Sequence, residues 1–218
     1  MPGLISYLLI ALITIMPLVA SAALPSRHID YSSLHCPEDP LATLATPTYG
    51  TEGAIFTVCT ELVIAAAPAA VYAAVLDFRS YARWNTFVVD VALPNNISST
   101  PDDVYVGMPM RFTSRGLLGD LFNATSTEVV SLLESPGAAA TSSSLVGAWR
   151  YNDGVGGIGS RAEHPNVFVD LGNRSTRYVS YETYYAGLTT GTIALLREQL
   201  QDQWDVQARD LKSYVESL

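Results

Sequence analysis

Hydrophobic and polar residues alternate along most of the chain after residue 53, which is the period-two pattern of β-strands. The first such run lies within residues 54–66 and places its apolar side chains on one face. Six further runs, separated by Gly, Pro, Asn and Ser, occupy residues 87–93, 108–115, 126–134, 143–151, 166–172 and 176–187. The pattern therefore predicts seven strands.

Two stretches follow a helical period of three to four residues instead. Pro68 is placed to begin the first helix, whose apolar stripe comprises Val71, Ala74, Val75 and Phe78. RSYARWN, at residues 79–85, predicts a short second helical turn. Residues 192–218 predict one long amphipathic helix, whose buried stripe comprises Ile193, Leu196, Leu200, Trp204, Gln207, Leu211 and Val215.

The order of these elements predicts the fold class. A strand, two helices, six strands and a long helix contain no alternating βαβ unit, so we expect antiparallel pairing. We therefore expect an α+β fold at residues 54–218, with a seven-stranded antiparallel curved sheet wrapped around the long C-terminal helix. Residues 23–53 lack periodicity and are predicted to form an irregular segment that precedes this domain.

The first 22 residues have the pattern of a secretory signal peptide. An apolar run without charges ends in an A-x-A arrangement at Ala20 and Ala22. A retained membrane anchor is the alternative, because the run lacks basic residues before it and approaches membrane-spanning length. Three N-x-S/T sequons also favour a secreted or lumenal protein and predict glycosylation at Asn96, Asn123 and Asn173.

Composition excludes several classes of partner and cofactor. The 218 residues carry a net charge of −9, and such a chain lacks the clustered Lys and Arg that nucleic acids require. The histidines, His28, His35 and His164, show no metal-ligand spacing, so we expect no metal. G-x-S-x-G and Walker motifs are absent from the sequence. We therefore expect no cofactor, and a neutral or cationic apolar small molecule as the ligand.

The two cysteines, Cys36 and Cys59, are a candidate disulfide in an oxidising compartment. Alternation along the first strand places Cys59 on its outward face. A bridge would fasten the irregular segment to this strand and contribute on the order of 3 kcal/mol in the chain-entropy model. Two unpaired thiols are the alternative.

Residues 154–159, GVGGIG, match the G-x-G-x-x-G pattern of dinucleotide-binding turns. A phosphate site of this kind needs a helix directly after the glycines, whereas Pro165 and another strand pattern follow here. We interpret the glycines as a connection between two strands that borders a cavity. The flanking Arg150 and Arg161 could pair with a carboxylate or enolate of a ligand, or could be ordinary solvated arginines.

The last strand supplies candidate catalytic hydroxyls. Val179, Tyr181, Thr183 and Tyr185 alternate with a second set that begins at Tyr178. The first set contains the only aliphatic residue, so we expect it to face the long helix. Tyr181 and Tyr185 would then act as hydrogen-bond donors or general acids, with a purely packing role as the alternative.

The other predicted pocket residues are Trp84, Phe87, Met110, Phe112, Trp149, Arg150, Arg161, Thr183, Gln203 and Gln207.

PAAVYAAVLDFRSYARWNTFVVDV, at residues 68–91, resembles the early helical signature of the START-like, or SRPBCC, superfamily. Near the other end, Glu182, Tyr185 and Gly187 match the Glu-x-x-Phe-x-Gly pattern of its polyketide cyclase/dehydrase-like branch, with Tyr in place of Phe. The resemblance covers about residues 54–218. It implies a helix-grip fold that encloses a cavity for apolar molecules.

This resemblance does not imply one activity, because the superfamily includes lipid carriers, hormone receptors, allergen-like binders and cofactor-free aromatase/cyclases. We expect a secretory-pathway protein that closes or dehydrates a ring of a polyketide- or terpenoid-derived intermediate without redox chemistry. A secreted, non-catalytic carrier of a sterol, fatty acid or pigment is the alternative. We expect neither nucleic acid nor a stable membrane span after signal cleavage, and the oligomeric state stays open.

Overall fold

Seven antiparallel strands form one curved sheet in the computed structural model, which describes residues 29–117, 119–134, 144–152 and 159–218. The predicted signal peptide and all of GVGGIG except Gly159 lie outside the described residues. The predicted α+β fold with a seven-stranded antiparallel sheet is confirmed. The strands are β1 (Ala54–Ile64), β2 (Val88–Ala92), β3 (Pro109–Gly116), β4 (Gly119–Leu133), β5 (Ser144–Asn152), β6 (Arg161–Gly172) and β7 (Ser175–Tyr185).

The strand order across the sheet is β1-β7-β6-β5-β4-β3-β2, so the last strand in sequence pairs with the first. Two short helices, α1 (Pro68–Leu76) and α2 (Tyr81–Trp84), connect β1 to β2, with a 3-10 turn at Phe78–Ser80 between them. Helix α1 packs against β5 and β6, and it also contacts the C-terminal helix. The helices therefore lie on one side of the sheet, which we call the inner face.

Two strands are longer than their sequence patterns predict. Strand β4 begins at Gly119 rather than at residue 126, because its polar first half pairs with β3 in a hairpin. Strand β6 begins at Arg161 rather than at residue 166, and it continues through Pro165, which lies opposite Ala148. Pairing with neighbouring strands overrides the weak local signal in both cases.

The C-terminal helical region is not the single helix that the sequence predicts. It consists of α3 (Thr190–Ala194) and α4 (Arg197–Glu216), with a break at Leu195 and Leu196. The amides of both leucines bond to carbonyls three residues earlier, which tightens the chain at this point. Leu195 is exposed to solvent, whereas Leu196 turns toward the interior.

Helix α4 packs on the inner face and also protects one edge of the sheet. Its buried stripe comprises Leu200, Trp204, Gln207, Ala208, Leu211 and Val215. The side-chain amide of Gln201 accepts a hydrogen bond from the Cys59 amide at 3.0 Å and donates one to the Cys59 carbonyl at 2.8 Å. Gln201 thus satisfies part of the edge of β1, which would otherwise be open to pairing.

The opposite, outer face of the sheet is covered by residues 29–50, which we call the strap. Tyr31, Leu34 and Leu44 of the strap pack on an apolar cluster of Val146, Val167, Val169, Val179 and Tyr181. Cys36 of the strap and Cys59 of β1 form a disulfide. The sheet is therefore buried on both faces over part of its area. Among the described residues, no helix combines the length and apolar character that crossing a bilayer requires.

Candidate ligand-binding cavity

A cavity of about 260 Å³ lies between the inner face of the sheet and the C-terminal helices. This volume is close to the lower end of the range for ligand pockets, roughly 300 Å³. Its apolar wall includes Phe87, Phe112, Leu117, Trp149, Ile193, Leu196, Leu200 and Trp204. Its polar groups are Ser114, Thr125, Ser126, Glu128, Tyr151, His164, Glu182, Tyr184 and Gln207. The wall is thus largely apolar, with polar side chains concentrated on the strands.

Strand alternation explains why these polar groups meet. Glu128 of β4 lies directly opposite Tyr151 of β5, and Trp149 of β5 lies directly opposite His164 of β6. Side chains that are opposite each other in neighbouring strands project from the same face of a sheet. All of these residues therefore line the same cavity.

Glu128 and Glu182 are the ionisable acids of the cavity, and both are almost fully buried. Burial raises the pKa of Glu128 to about 7, although a hydrogen bond with Ser126 opposes the shift. Burial, and then the nearby charge of Glu128, raise the pKa of Glu182 to about 8. Neither carboxyl forms an ion pair with a described residue. Proton exchange near neutral pH is therefore open to this pair.

Hydrogen bonding differs between the two carboxyls. The Tyr184 hydroxyl donates to Oε2 of Glu182 at 2.5 Å, and the Tyr184 ring stacks on Phe56 with centroids 4.5 Å apart. Oε2 of Glu128 is buried and has no hydrogen-bond partner among the described residues, and the same is true of Nε1 of Trp204. Buried polar atoms are normally paired. One acceptor and one donor of residues that line the cavity thus lack a hydrogen-bond partner among the described residues.

His164 contributes a neutral aromatic ring to the cavity. Its ring lies 4.8 Å from Trp149 and 5.0 Å from Trp204, measured between centroids. Nε2 is 2.8 Å from the hydroxyl oxygen of Ser180. Burial lowers the pKa of His164 to about 3, so the imidazole is uncharged at neutral pH.

The predicted placement of Tyr181, Thr183 and Tyr185 in the cavity is wrong, because these side chains are on the outer face. The Tyr181 hydroxyl donates to the Ala45 carbonyl at 2.7 Å, and the Tyr185 hydroxyl donates to the Gly50 carbonyl at 2.7 Å. The Thr183 hydroxyl likewise donates to a strap carbonyl. Val179, the aliphatic residue on the same face of β7, is buried because the strap covers it and not because it faces the long helix.

Four of the predicted pocket residues do line the cavity, namely Phe87, Phe112, Trp149 and Gln207. Trp84 instead packs between Tyr81 and Tyr214, and Met110 lies in the hydrophobic core. Both side chains are buried against other side chains and do not line the cavity.

The remaining predicted pocket residues lie away from the cavity wall. The Arg161 guanidinium is 5.4 Å from the ring centroid of Tyr49 in the strap. Arg150 is half-buried but does not contribute to the wall. Gln203 packs against Gly116, where a Cβ atom would be 2.7 Å from its Nε2. A positive φ of 89° and this contact both favour glycine at position 116.

Sequence reasoning missed Glu128, His164, Glu182 and Tyr184 as cavity residues. Polar residues in an alternating strand are normally assigned to the solvent face. Glu182 nevertheless had a signal, because it matches the first position of the Glu-x-x-Phe-x-Gly pattern. His164 shows no metal-ligand spacing in the sequence, and the described residues contain no cluster of three or more potential ligands.

The three sequon asparagines, Asn96, Asn123 and Asn173, are all exposed. Exposure is a requirement for glycan attachment. Glycosylation at these positions stays a prediction.

Comparison with known proteins identifies the fold. No family model and no curated protein matches this sequence. A START superfamily protein from Mycobacterium smegmatis is 16% identical, with a TM-score of 0.52 over 74% of this chain and 97% of that one. The Zhui aromatase/cyclase from Streptomyces sp. R1128 is 16% identical, with a TM-score of 0.52 over 73% and 93%.

A third similar structure is norcoclaurine synthase from Thalictrum flavum, in complex with dopamine and hydroxybenzaldehyde. It is 14% identical, with a TM-score of 0.53 over 76% of this chain and 89% of that one. At these identities the likeness establishes the fold alone. The chain therefore has the START-like helix-grip fold.

Proposed function

We propose that this protein binds an apolar small molecule in the inner cavity and acts on it as a cofactor-independent cyclase. The substrate would be a polyketide- or terpenoid-derived intermediate of natural-product biosynthesis. The observation that carries this proposal is the placement of two buried carboxyls, without an ion-pair partner among the described residues, in a largely apolar cavity. Such groups are costly to bury, and proteins concentrate them at functional sites.

The cavity walls supply the first requirement of ring closure, which is conformation. Aromatic side chains on the sheet and α4 surround the space, including Phe112, Trp149 and Trp204. A flexible chain that is folded against these walls would hold its reacting atoms close together and lose little further entropy on reaction. Polar groups at fixed positions would then stabilise charge as it develops.

Two of the structurally similar proteins support an enzyme in this fold, since one is named an aromatase/cyclase and one a synthase. Location in the secretory pathway is a further part of the proposal. It is supported by the signal-peptide pattern, the exposed sequons and the disulfide between Cys36 and Cys59.

Deletion of the gene, followed by mass-spectrometric profiling of metabolites, tests the proposal. The expected result is loss of a cyclic product and accumulation of an open precursor that has the same mass or is heavier by one water. A product that keeps its structure and its amount in the deletion strain would contradict a role in ring closure.

A non-catalytic carrier is the second candidate, and the largely apolar wall of the cavity favours it. Polar side chains in such a pocket can serve ligand selection as well as chemistry. This function predicts that deletion changes the amount or location of a metabolite but not its structure. It also predicts that the purified protein returns its ligand unaltered after incubation.

A further inference from the structure

We propose that Glu128 and Glu182 form an acid–base pair in this cavity and exchange protons with an apolar ligand that carries a carbonyl group. This inference rests on the proposed function, because it concerns the same cavity. It adds the residues that do the chemistry and the functional group that they act on.

The two carboxyls lie in the same confined space. Glu128 projects from β4 and Glu182 from β7, and both line one small cavity with exposed fractions of 5% and 6%. No Lys or Arg lines the described part of this cavity. Two carboxylates in one poorly solvated space disfavour simultaneous ionisation, so the pair retains a proton more readily than exposed carboxyls do. A carboxylic acid and a carboxylate can thus coexist here.

The two carboxyls differ in the hydrogen bonds of their Oε2 atoms. Oε2 of Glu182 accepts the Tyr184 hydroxyl, which restricts the rotation of this carboxyl. Oε2 of Glu128 is buried and unpartnered among the described residues. Ser126 also bonds to the Glu128 carboxyl, so the asymmetry lies in the Oε2 atoms: Oε2 of Glu182 has a protein partner, whereas Oε2 of Glu128 has none among the described residues. The N–H group of Trp204, likewise unpartnered, offers a hydrogen bond to an oxygen of the ligand.

The chemistry of such a pair is enolisation. The carboxylate removes a proton from the carbon next to the carbonyl, which breaks a C–H bond and forms an O–H bond. The carboxylic acid gives its proton to the carbonyl oxygen, and the ligand becomes an enol with a new C=C bond. One carboxylate and one carboxylic acid remain, so the step needs no oxidant, reductant or metal. The enol carbon is a nucleophile for ring closure onto a second carbonyl.

The reverse step replaces the lost proton with one from solvent, and this makes the pair testable without the natural substrate. The probe is 1-tetralone, an apolar aromatic ketone, incubated with the full-length protein in D₂O. Nuclear magnetic resonance follows deuterium incorporation next to its carbonyl, and quenching of tryptophan fluorescence follows binding. We expect the wild-type protein to accelerate exchange. Glu128→Gln and Glu182→Gln should each reduce the acceleration by about 100-fold or more.

The control is Glu198→Gln, the same chemical change at an exposed position on α4, and it should exchange at the wild-type rate. Circular dichroism of each variant checks that folding is retained. A double Glu128→Gln, Glu182→Gln variant that exchanges as fast as the wild type would overturn the proposal. So would wild-type protein that binds 1-tetralone without accelerating exchange, a result that leaves ligand binding in the cavity intact.

Infrared spectroscopy of the ligand-free protein gives a second test, independent of the probe. We expect the band of a protonated carboxylic acid near neutral pH, and its loss in the double variant. Absence of this band from the wild-type spectrum would overturn the proposal. Failure of the proposed cyclase function has a different readout, which is gene deletion. In that case deletion would leave metabolite structures unchanged, although deuterium exchange and the infrared band are present.

Discussion

Strand β7 carries polar side chains on both faces, and the two sets have different partners. On the outer face, the hydroxyls of Tyr181, Thr183 and Tyr185 all donate to backbone carbonyls of the strap. On the inner face, Glu182 and Tyr184 bond to each other and line a cavity. Hydroxyls that donate to the chain's own backbone stabilise the fold. Ionisable groups that border a cavity remain available to a ligand.

Two buried glutamates, one on each face of the sheet, differ in the same way. Glu163 binds the strap and β4, because its carboxylate accepts hydrogen bonds from the Thr48 amide, the Thr48 hydroxyl and the Ser131 hydroxyl. Glu182 accepts one bond, from Tyr184, and its other neighbours include the charge of Glu128. Glu163 is therefore placed to hold the strap and β4 together, and Glu182 has the environment that the proposed proton exchange requires.

The largest expected effect is on the pH dependence of stability. The pKa values of Glu128 and Glu182 are raised on folding, so their contribution is complete below about pH 4.5 and is lost as pH rises toward 8. His164, whose pKa is lowered on folding, opposes this slope only below about pH 6.5. Glu128 begins to lose its proton in the folded state near pH 7, so urea denaturation should show the steepest loss of stability between about pH 6.5 and 7, with a shallower loss up to about pH 8.

The double Glu128→Gln, Glu182→Gln variant should lack this loss of stability, since a neutral amide carries no charge to desolvate. At pH 8 its free energy of unfolding should exceed that of the wild type by several kcal/mol. The matched change on the outer face, Glu163→Gln, should instead lower stability, because an amide N–H₂ group replaces one hydrogen-bond acceptor. A double variant that loses stability in parallel with the wild type would remove the electrostatic basis for a functional inner face.

Removal of the disulfide is expected to have the next largest effect. Cys36→Ser with Cys59→Ser opens a loop with a sequence separation of 23 and should cost about 3 kcal/mol of unfolding free energy. The inner cavity should keep its ligand, because the strap packs on the outer face of the sheet. Denaturation and ligand titration of the same sample measure both quantities. Loss of binding by a variant that remains folded would contradict the separation of the two faces.

Single hydroxyl deletions on the outer face should have smaller effects. Tyr181→Phe and Tyr185→Phe each remove a buried hydrogen bond to the strap and should cost about 1 kcal/mol. Each variant should bind the ligand as the wild type does, in chemical denaturation and fluorescence assays run in parallel. A strong decrease in turnover with unchanged stability would restore these tyrosines as catalytic candidates.

The smallest expected effect concerns Tyr184 on the inner face. Its hydrogen bond favours the charged form of Glu182, so Tyr184→Phe should raise the pKa of Glu182 further. Infrared titration of the carboxyl band would detect the shift, with Tyr181→Phe as a control that leaves the titration in place. A shift in the opposite direction would show that Tyr184 stabilises the neutral acid.

Sequence patterns predicted the fold well because period-two alternation and helical stripes both depend on burial against one core. They also placed Phe87, Phe112 and Trp149 correctly, since a large apolar side chain on the inner face either packs in the core or lines the cavity. The START-like resemblance rested on motifs at both ends of the domain and anticipated the helix-grip architecture that the structure shows.

The same patterns could not choose the faces of β7. Both faces are buried, one by α4 and one by the strap, so an aliphatic residue such as Val179 identifies neither. The strap itself has no periodicity from which its docking position could be read. Glu128 and Glu182 look like solvent-facing residues in sequence, and only the assembled sheet brings them into one cavity.

The most direct test of the functional inner face is complementation of the gene-deletion strain with two double variants. One strain receives Glu128→Gln with Glu182→Gln, and the other receives Tyr181→Phe with Tyr185→Phe, with protein levels matched by immunoblot. The cyclic product should return only with the tyrosine variant. Restoration by the glutamine variant, or failure of a stably expressed tyrosine variant, would contradict a functional inner face and a structural outer one.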